Sequence, residues 1–303
     1  MICCMAGSGF HSALGGVRLP SPLVPLQDER AARRGVRLLL KRDDLIHPDL
    51  PGNKYRKLRL NLLAAAGAGL RMLLTFGGAY SNHLRATAAA GRLLGFATVG
   101  VVRGDELAGR PLNDSLARCA ADGMRLHFID RATYRRKAEP DVIGALLERY
   151  GPAYVVPEGG SNALAARGCA ALGRELRGAG DVVAVACGTG GTLAGLAAGL
   201  AADQRAIGFP VLRGGGFLHG DIQRLQHAAF GAPRGAWDLD DRFHHGGYAR
   251  TTPVLDAFTE DFTARHGLAP DPVYVAKALH GVVTLVEEGA FAPGTRVVVT
   301  VTG

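Results

Sequence analysis

No Cys-x-x-Cys pair occurs in this chain, and its five cysteines, at 3, 4, 119, 169 and 187, form no grouping with histidine at zinc-like spacing. His244-His245 likewise lacks a third ligand at a persuasive distance, so no metal is expected. A disulfide-stapled fold is excluded, and a reducing cytoplasm is the expected compartment. Residues 1–16, MICCMAGSGFHSALGG, carry no basic leader followed by a sustained apolar stretch; secretion is not expected, and the segment reads as a loose arm or a misplaced start. The 43 glycines follow no Gly-x-y period, which excludes collagen and leaves tight turns and close backbone approaches as their use. Nor is there a basic tail. Lys plus Arg exceed Asp plus Glu by 35 to 27, but the arginines are scattered and only the short knots Arg33-Arg34 and Arg135-Arg136-Lys137 occur. The net +8 suits an anionic substrate, a phosphate or nucleic acid alike, and its sign alone does not choose; with the basic residues so scattered, nucleic acid is not expected as a partner.

What remains is a chain of 303 residues, 48% apolar and 20% charged, enough for one large domain or two ordinary ones. Residues 182–202 hold no charge over 21 positions, the length of a membrane span. The centre of that run argues otherwise: 182–186 reads as a buried strand, 188–192 as a flexible polar turn and 193–202 as a helix. A strand, loop and helix within a globular fold explain all three parts, and no membrane is expected.

Elsewhere strand and helix alternate. Strands are predicted at 36–41, 72–75, 98–102, 125–129 and 153–155, with helices at 82–94, 111–121, 139–150 and 163–176. Such alternation gives parallel sheets covered on both faces. The last third is less regular, with helices near 218–230, 253–265 and 277–288 and a final strand at 296–301. The expected class is α/β with two open parallel-sheet lobes: a smaller lobe over residues 56–160, and a larger one from 1–55 and 161–303.

Four segments can carry chemistry. Gly188-Thr189-Gly190-Gly191-Thr192, between strand and helix, lets backbone N–H groups converge on a phosphate, although a tight connection would look the same. It lacks a P-loop lysine, and Leu193 stands where the dinucleotide fingerprint needs glycine. In Gly52-Asn53-Lys54, Asn53 can cap a helix that begins near Lys54, leaving that lysine at a loop-to-helix junction where its amine can be oriented for imine chemistry or simply solvated. Gly77 to His83 offers Ser81, Asn82 and helix-start amides as a carboxylate clamp, or an ordinary cap. Glu158 in Pro157 to Asn162 is either an acid–base group or the partner of a basic side chain. Tyr248 and Tyr274 line a pocket or pack. There is no Gly-x-Ser-x-Gly elbow.

Taken together, Lys41 to Asp44, Gly52 to Leu58, Gly77 to His83, Glu158 to Asn162, Gly188 to Thr192 and Asp271 to Lys277 resemble the 1-aminocyclopropane-1-carboxylate deaminase and D-cysteine desulfhydrase family, over roughly residues 20–303. The resemblance implies the tryptophan-synthase-beta-like fold of pyridoxal-phosphate enzymes, with pyridoxal 5'-phosphate as cofactor, a small amino acid as substrate, a homodimer as assembly, and a lyase or hydrolase as class. It makes the larger lobe cofactor-binding. Lys54 matches the lysine that carries the cofactor, Asn82 the side chain near the pyridine oxygen, Gly188 to Thr192 the phosphate cup, and Thr302 the hydroxyl near the pyridine nitrogen. Ser81, with Asn82 and His83, matches the substrate-carboxylate element, and Tyr248 and Tyr274 the tyrosines that approach substrate. Three positions depart from the deaminase pattern: Tyr80 replaces Gln, Val275 replaces Glu, and Pro51 replaces the first Gly of Gly-Gly-Asn-Lys. Losing that Glu removes a partner of the ring nitrogen, which favours desulfhydrase-like elimination over ring opening. Ring-opening deamination, or cofactor binding with little turnover, are the alternatives.

Overall fold

A computed structural model describes residues 14–302, so most of the expected arm, with Cys3 and Cys4, lies outside the described residues. The described residues form two compact units, one of 18–56 with 163–302 and one of 57–162 with 14–17. It opens on β1 (Leu23–Leu26), α1 (Glu29–Arg33) and β2 (Arg37–Arg42), and α2 (Asn53–Gly67) then runs from the larger unit into the smaller.

The smaller unit continues with β3 (Met72–Gly77), α3 (Asn82–Leu94), β4 (Ala97–Arg103), α4 (Asp114–Ala121), β5 (Met124–Ile129), α5 (Arg131–Arg135), α6 (Pro140–Tyr150) and β6 (Tyr154–Val156). Its four strands pair in the order β5-β4-β3-β6, all parallel. Alternate residues of a strand point to opposite faces, and both faces are covered. Val99 and Val101 of β4 pack with Tyr134, Val142 and Leu146 on one side, while Val102 packs with Leu84, Ala88 and Leu116 on the other.

The larger unit resumes with α7 (Ala163–Glu175), β7 (Val182–Cys187), α8 (Gly191–Gly199), β8 (Arg205–Pro210), α9 (Leu218–Phe230), β9 (Ala236–Leu239), α10 (Pro253–His266), α11 (Val275–Glu287) and β10 (Arg296–Val301). Its sheet runs β1-β2-β10-β7-β8-β9. Strands β2, β10, β7, β8 and β9 run parallel to one another, as expected for a parallel-sheet lobe, and β1 pairs antiparallel with β2 at one edge. The same alternation separates two cores: Val182, Ala184 and Ala186 face α10 and α11, and Val183, Val185 and Cys187 face α7, α8 and α9. Glycine allows α7 and α8 to touch at the backbone, since a Cβ on Gly195 would lie 2.1 Å from the Ala166 carbonyl oxygen.

No helix among the described residues is long and apolar enough to cross a membrane. Parallel strands bring their C-terminal ends, and the loops that follow, to one edge of a sheet, where ligands of open α/β folds bind. In the larger unit that edge gathers the segment after β2 that leads to Lys54, Gly188 to Gly190 after β7, the glycine-rich 211–217 after β8, and Thr302 after β10.

Candidate active site

A buried charge cluster fixes the segment that carries Lys54. Arg56 is 2% exposed and Asp43 0%. The Arg56 guanidinium meets Asp43 at 2.7 and 2.8 Å and Glu175 of α7 at 2.8 and 2.9 Å. Lys41 of β2 closes the cluster on Glu175 at 2.7 Å and donates to the Ser21 carbonyl oxygen at 2.7 Å, while the Ser21 hydroxyl donates to Asp43 at 2.6 Å. Two cations face two anions, so no net charge is buried. Burial works to raise the Glu175 pKa, but the bonds from Arg56 and then Lys41 outweigh it and hold the carboxyl below its ordinary value. Burial likewise opposes the Arg56 charge, and Asp43 and Glu175 more than reverse it.

Two residues before Arg56, Lys54 is half-buried in the first turn of α2. Its Nζ donates to Asn53 Oδ1 at 3.2 Å, and Asn53 Nδ2 donates to Thr192 Oγ1 at 2.8 Å. One amide therefore links the amine to the glycine loop. That loop turns through Gly190, at φ 72°, where a Cβ would also come within 2.6 Å of Ile222 Cγ1. No side chain caps α8, and its first-turn N–H groups precede any intrahelical acceptor. Converging amides, the positive end of a helix dipole and a neighbouring hydroxyl make a phosphate cradle, and an oriented amine beside it suits an aldehyde. The residues fit a phosphorylated aldehyde cofactor.

Tyr274 stands just before α11 with its N–H donating to Asp271 Oδ1 at 2.7 Å. Its ring lies against Gly188, where a Cβ would sit 3.3 Å from Cε1. The Tyr248 ring meets it edge-on, with centroids 6.1 Å apart and planes at 72°. Lys54, the loop from Gly188 to Thr192 with Thr189 in it, Tyr248, Tyr274 and the buried Thr302 thus all belong to the larger unit.

Ser81, Asn82 and His83 belong to the smaller unit. Ser81 caps α3, its Oγ accepting from the Leu84 N–H at 3.3 Å. Asn82 Oδ1 accepts from Arg85. His83 turns inward: it is buried, with Nε2 2.7 Å from Thr75 Oγ1, which in turn donates to the Val156 carbonyl. Tyr80, the departure from Gln, is 65% exposed. Glu158 accepts from the Tyr134 hydroxyl at 2.7 Å and pairs with Lys137 at 3.1 Å, which is the reading of that carboxylate as a partner of basic groups. In the sequence Asn53 reads as a helix cap and, with Arg56, falls in the stretch Gly52 to Leu58 that carries the resemblance, while nothing there singles out Glu175. Their meeting depends on residues far apart in the chain.

Comparison with known proteins agrees with this chemistry. The chain matches the family described as pyridoxal-phosphate dependent enzyme over residues 16–303. It is 31% identical over 280 residues to a D-cysteine desulfhydrase of Yersinia pestis, spanning 85% of this chain and 83% of that protein. To the mitochondrial bifunctional D-cysteine desulfhydrase/1-aminocyclopropane-1-carboxylate deaminase of Arabidopsis thaliana it is 30% identical over 271 residues, 82% of this chain and 67% of that one. The crystal structure of a homologue of 1-aminocyclopropane-1-carboxylate deaminase superposes with a TM-score of 0.81 at 27% identity, covering 99% of this chain and 95% of that chain. Of the two reaction classes the resemblance implied, lyase fits these relatives; hydrolase does not and is corrected. With a family match over nearly its whole length and an amine hydrogen-bonded through one amide to a phosphate cradle, the chain belongs to the pyridoxal-phosphate dependent enzymes.

Proposed function

We propose that the protein is a lyase that eliminates a β leaving group from a small amino acid, with D-cysteine or a close analogue as substrate; water then hydrolyses the unsaturated amine left by elimination, so that a 2-oxo acid, ammonia and sulfide are the products. The observation that carries this reading is the chain Lys54 Nζ, Asn53, Thr192, with bonds of 3.2 and 2.8 Å. Bound pyridoxal phosphate supplies an electron-withdrawing ring that stabilises negative charge at the α carbon. Lys54 and the amides from Gly188 to Thr192 would hold it, and Thr302 would face its ring nitrogen. The lysine amine, once free, takes the α proton. Ser81 and the first-turn amides of α3 bind the substrate carboxylate, and Asn82 keeps the ring-oxygen role that the resemblance gives it. His83, bonded to Thr75 inside the smaller unit, holds the turn that presents them. Val275 in place of a carboxylate, with a hydroxyl at Thr302, favours elimination over ring opening, and the relatives named for D-cysteine support the substrate class.

A second reading, ring-opening deamination of 1-aminocyclopropane-1-carboxylate, is favoured by the edge-on pair of Tyr248 and Tyr274. A panel of small D- and L-amino acids with that cyclic substrate, scored for ammonia, sulfide and 2-oxo acid, separates the two. Lys54→Ala should abolish turnover, and borohydride treatment of the loaded wild type should fix the cofactor mass on Lys54. Full turnover in the variant, or no mass on that residue, defeats the reading. The same reading makes the protein a cytoplasmic homodimer that works without nucleic acid or membrane; mass-resolved size exclusion should return twice the chain mass.

A further inference from the structure

Lys277 is completely buried in the first turn of α11, and among the described residues no carboxylate forms an ion pair with it. A methionine of equal length would fill the same space without carrying charge out of water. The ammonium instead donates to two backbone carbonyls, of His244 at 2.9 Å and of Gly247 at 2.8 Å. The loop it holds is unusual. His245, Gly246, Gly247 and Ala249 all have positive φ, at 47°, 88°, 117° and 53°, and two of them are not glycine. A side chain in that left-handed region strains the backbone, so surrounding contacts must impose the conformation. His245 is pinned as well, with Nδ1 2.8 Å from Thr252 Oγ1 and Nε2 3.1 Å from His280 Nδ1. Tyr248 sits inside this strained stretch. Its ring partner Tyr274 immediately precedes the helix from which Lys277 projects.

We infer that Lys277 is a positioning residue for Tyr248: by clamping the carbonyls of His244 and Gly247 to the start of α11, it holds Tyr248 edge-on against Tyr274 for work on substrate. This rests on the reading of both tyrosines as substrate-facing. Burial lowers the Lys277 pKa to about 8, against an attraction from Asp271, so the chain keeps this amine at a cost that packing alone does not require.

The test compares Lys277→Met, Tyr248→Phe and the double variant with wild type, all saturated with pyridoxal phosphate. Lys277→Met should load cofactor as wild type does, by visible absorbance. Amide exchange measured by mass spectrometry should speed up about tenfold over residues 243–250 and stay unchanged elsewhere. On whichever panel substrate the wild type turns over, kcat should fall as far as in Tyr248→Phe, and the double variant should be no worse than Tyr248→Phe alone. Losses that multiply, or unchanged loop exchange, overturn the inference. If Lys277→Met yields no folded protein, Gly247→Ala perturbs the same loop. There a Cβ meets nothing nearer than 3.6 Å, so the strain comes from φ alone. It must loosen the loop and lower kcat, and normal exchange with normal turnover overturns the inference. Absence of turnover by the wild type across the panel defeats the functional reading, and the exchange comparison then decides the clamp by itself.

Discussion

Replacing Arg56 by methionine removes the centre of the buried charge cluster and measures what it contributes. The guanidinium makes four hydrogen bonds of 2.7 to 2.9 Å, two to Asp43 and two to Glu175. After its loss Glu175 keeps Lys41, but Asp43, with no exposed surface, keeps only the Ser21 hydroxyl as a side-chain donor among the described residues. Breaking a buried pair and leaving one charge uncompensated costs about 3–5 kcal/mol. At ~2.1 cal/mol/K of unfolding entropy per residue, that is a fall in Tm of about 5–8 °C if the whole chain melts together, and up to about 13 °C if the larger unit melts alone. The assay is thermal unfolding followed by circular dichroism on protein freed of cofactor, so that ligand binding does not mask the change. Adding Asp43→Asn to the Arg56→Met background removes the stranded charge and should recover about half of the loss. A single variant melting within about 2 °C of wild type, or a double variant no better than the single, would refute the claim that an uncompensated carboxylate dominates.

Gly190→Ala should weaken pyridoxal phosphate binding about tenfold or more, because a left-handed non-glycine residue costs about 1–2 kcal/mol before the contact with Ile222, 2.6 Å away, is counted. Absorbance titration of the cofactor-free protein reads it, and an unchanged affinity contradicts the cradle. Asp28 caps α1 and, although burial works to raise its pKa, bonds from Arg30 lower it from 3.8 to about 2. Its folded pKa lies below the unfolded one, so its contribution is complete above about pH 4 and is lost as pH falls toward 2. The urea midpoint of Asp28→Asn should therefore trail wild type at pH 7, with the gap narrowing below pH 4; a gap that is constant with pH opposes this assignment.

Local pattern made several elements legible. The uncharged run divides into β7, the Gly188 to Gly190 turn and α8 because a valine-rich stretch favours a strand, an alanine–leucine stretch favours a helix, and the glycines between them are free to take the turn that joins the two. The helix of Lys54 starts one residue earlier than expected, at Asn53, whose side chain reaches Thr192. Strands β1, β8 and β9 were not expected. Arg205–Pro210 holds a glycine and ends on proline, and it is a strand because β7 and β9 pair with its two sides.

The sequence by itself determined the alternation of strand and helix, the glycine loop that can take a phosphate, and a lysine at a helix start, because each is written in residues a few positions apart. Only tertiary structure decided that Lys41, Asp43, Arg56 and Glu175 share one buried cluster, that His83 turns inward to Thr75, and that Lys277 grips the loop before Tyr248. Charge and hydrogen-bonding capacity are visible in a residue's identity. Which partner satisfies them is fixed only when the sheet brings distant segments together and removes the water that would otherwise have served.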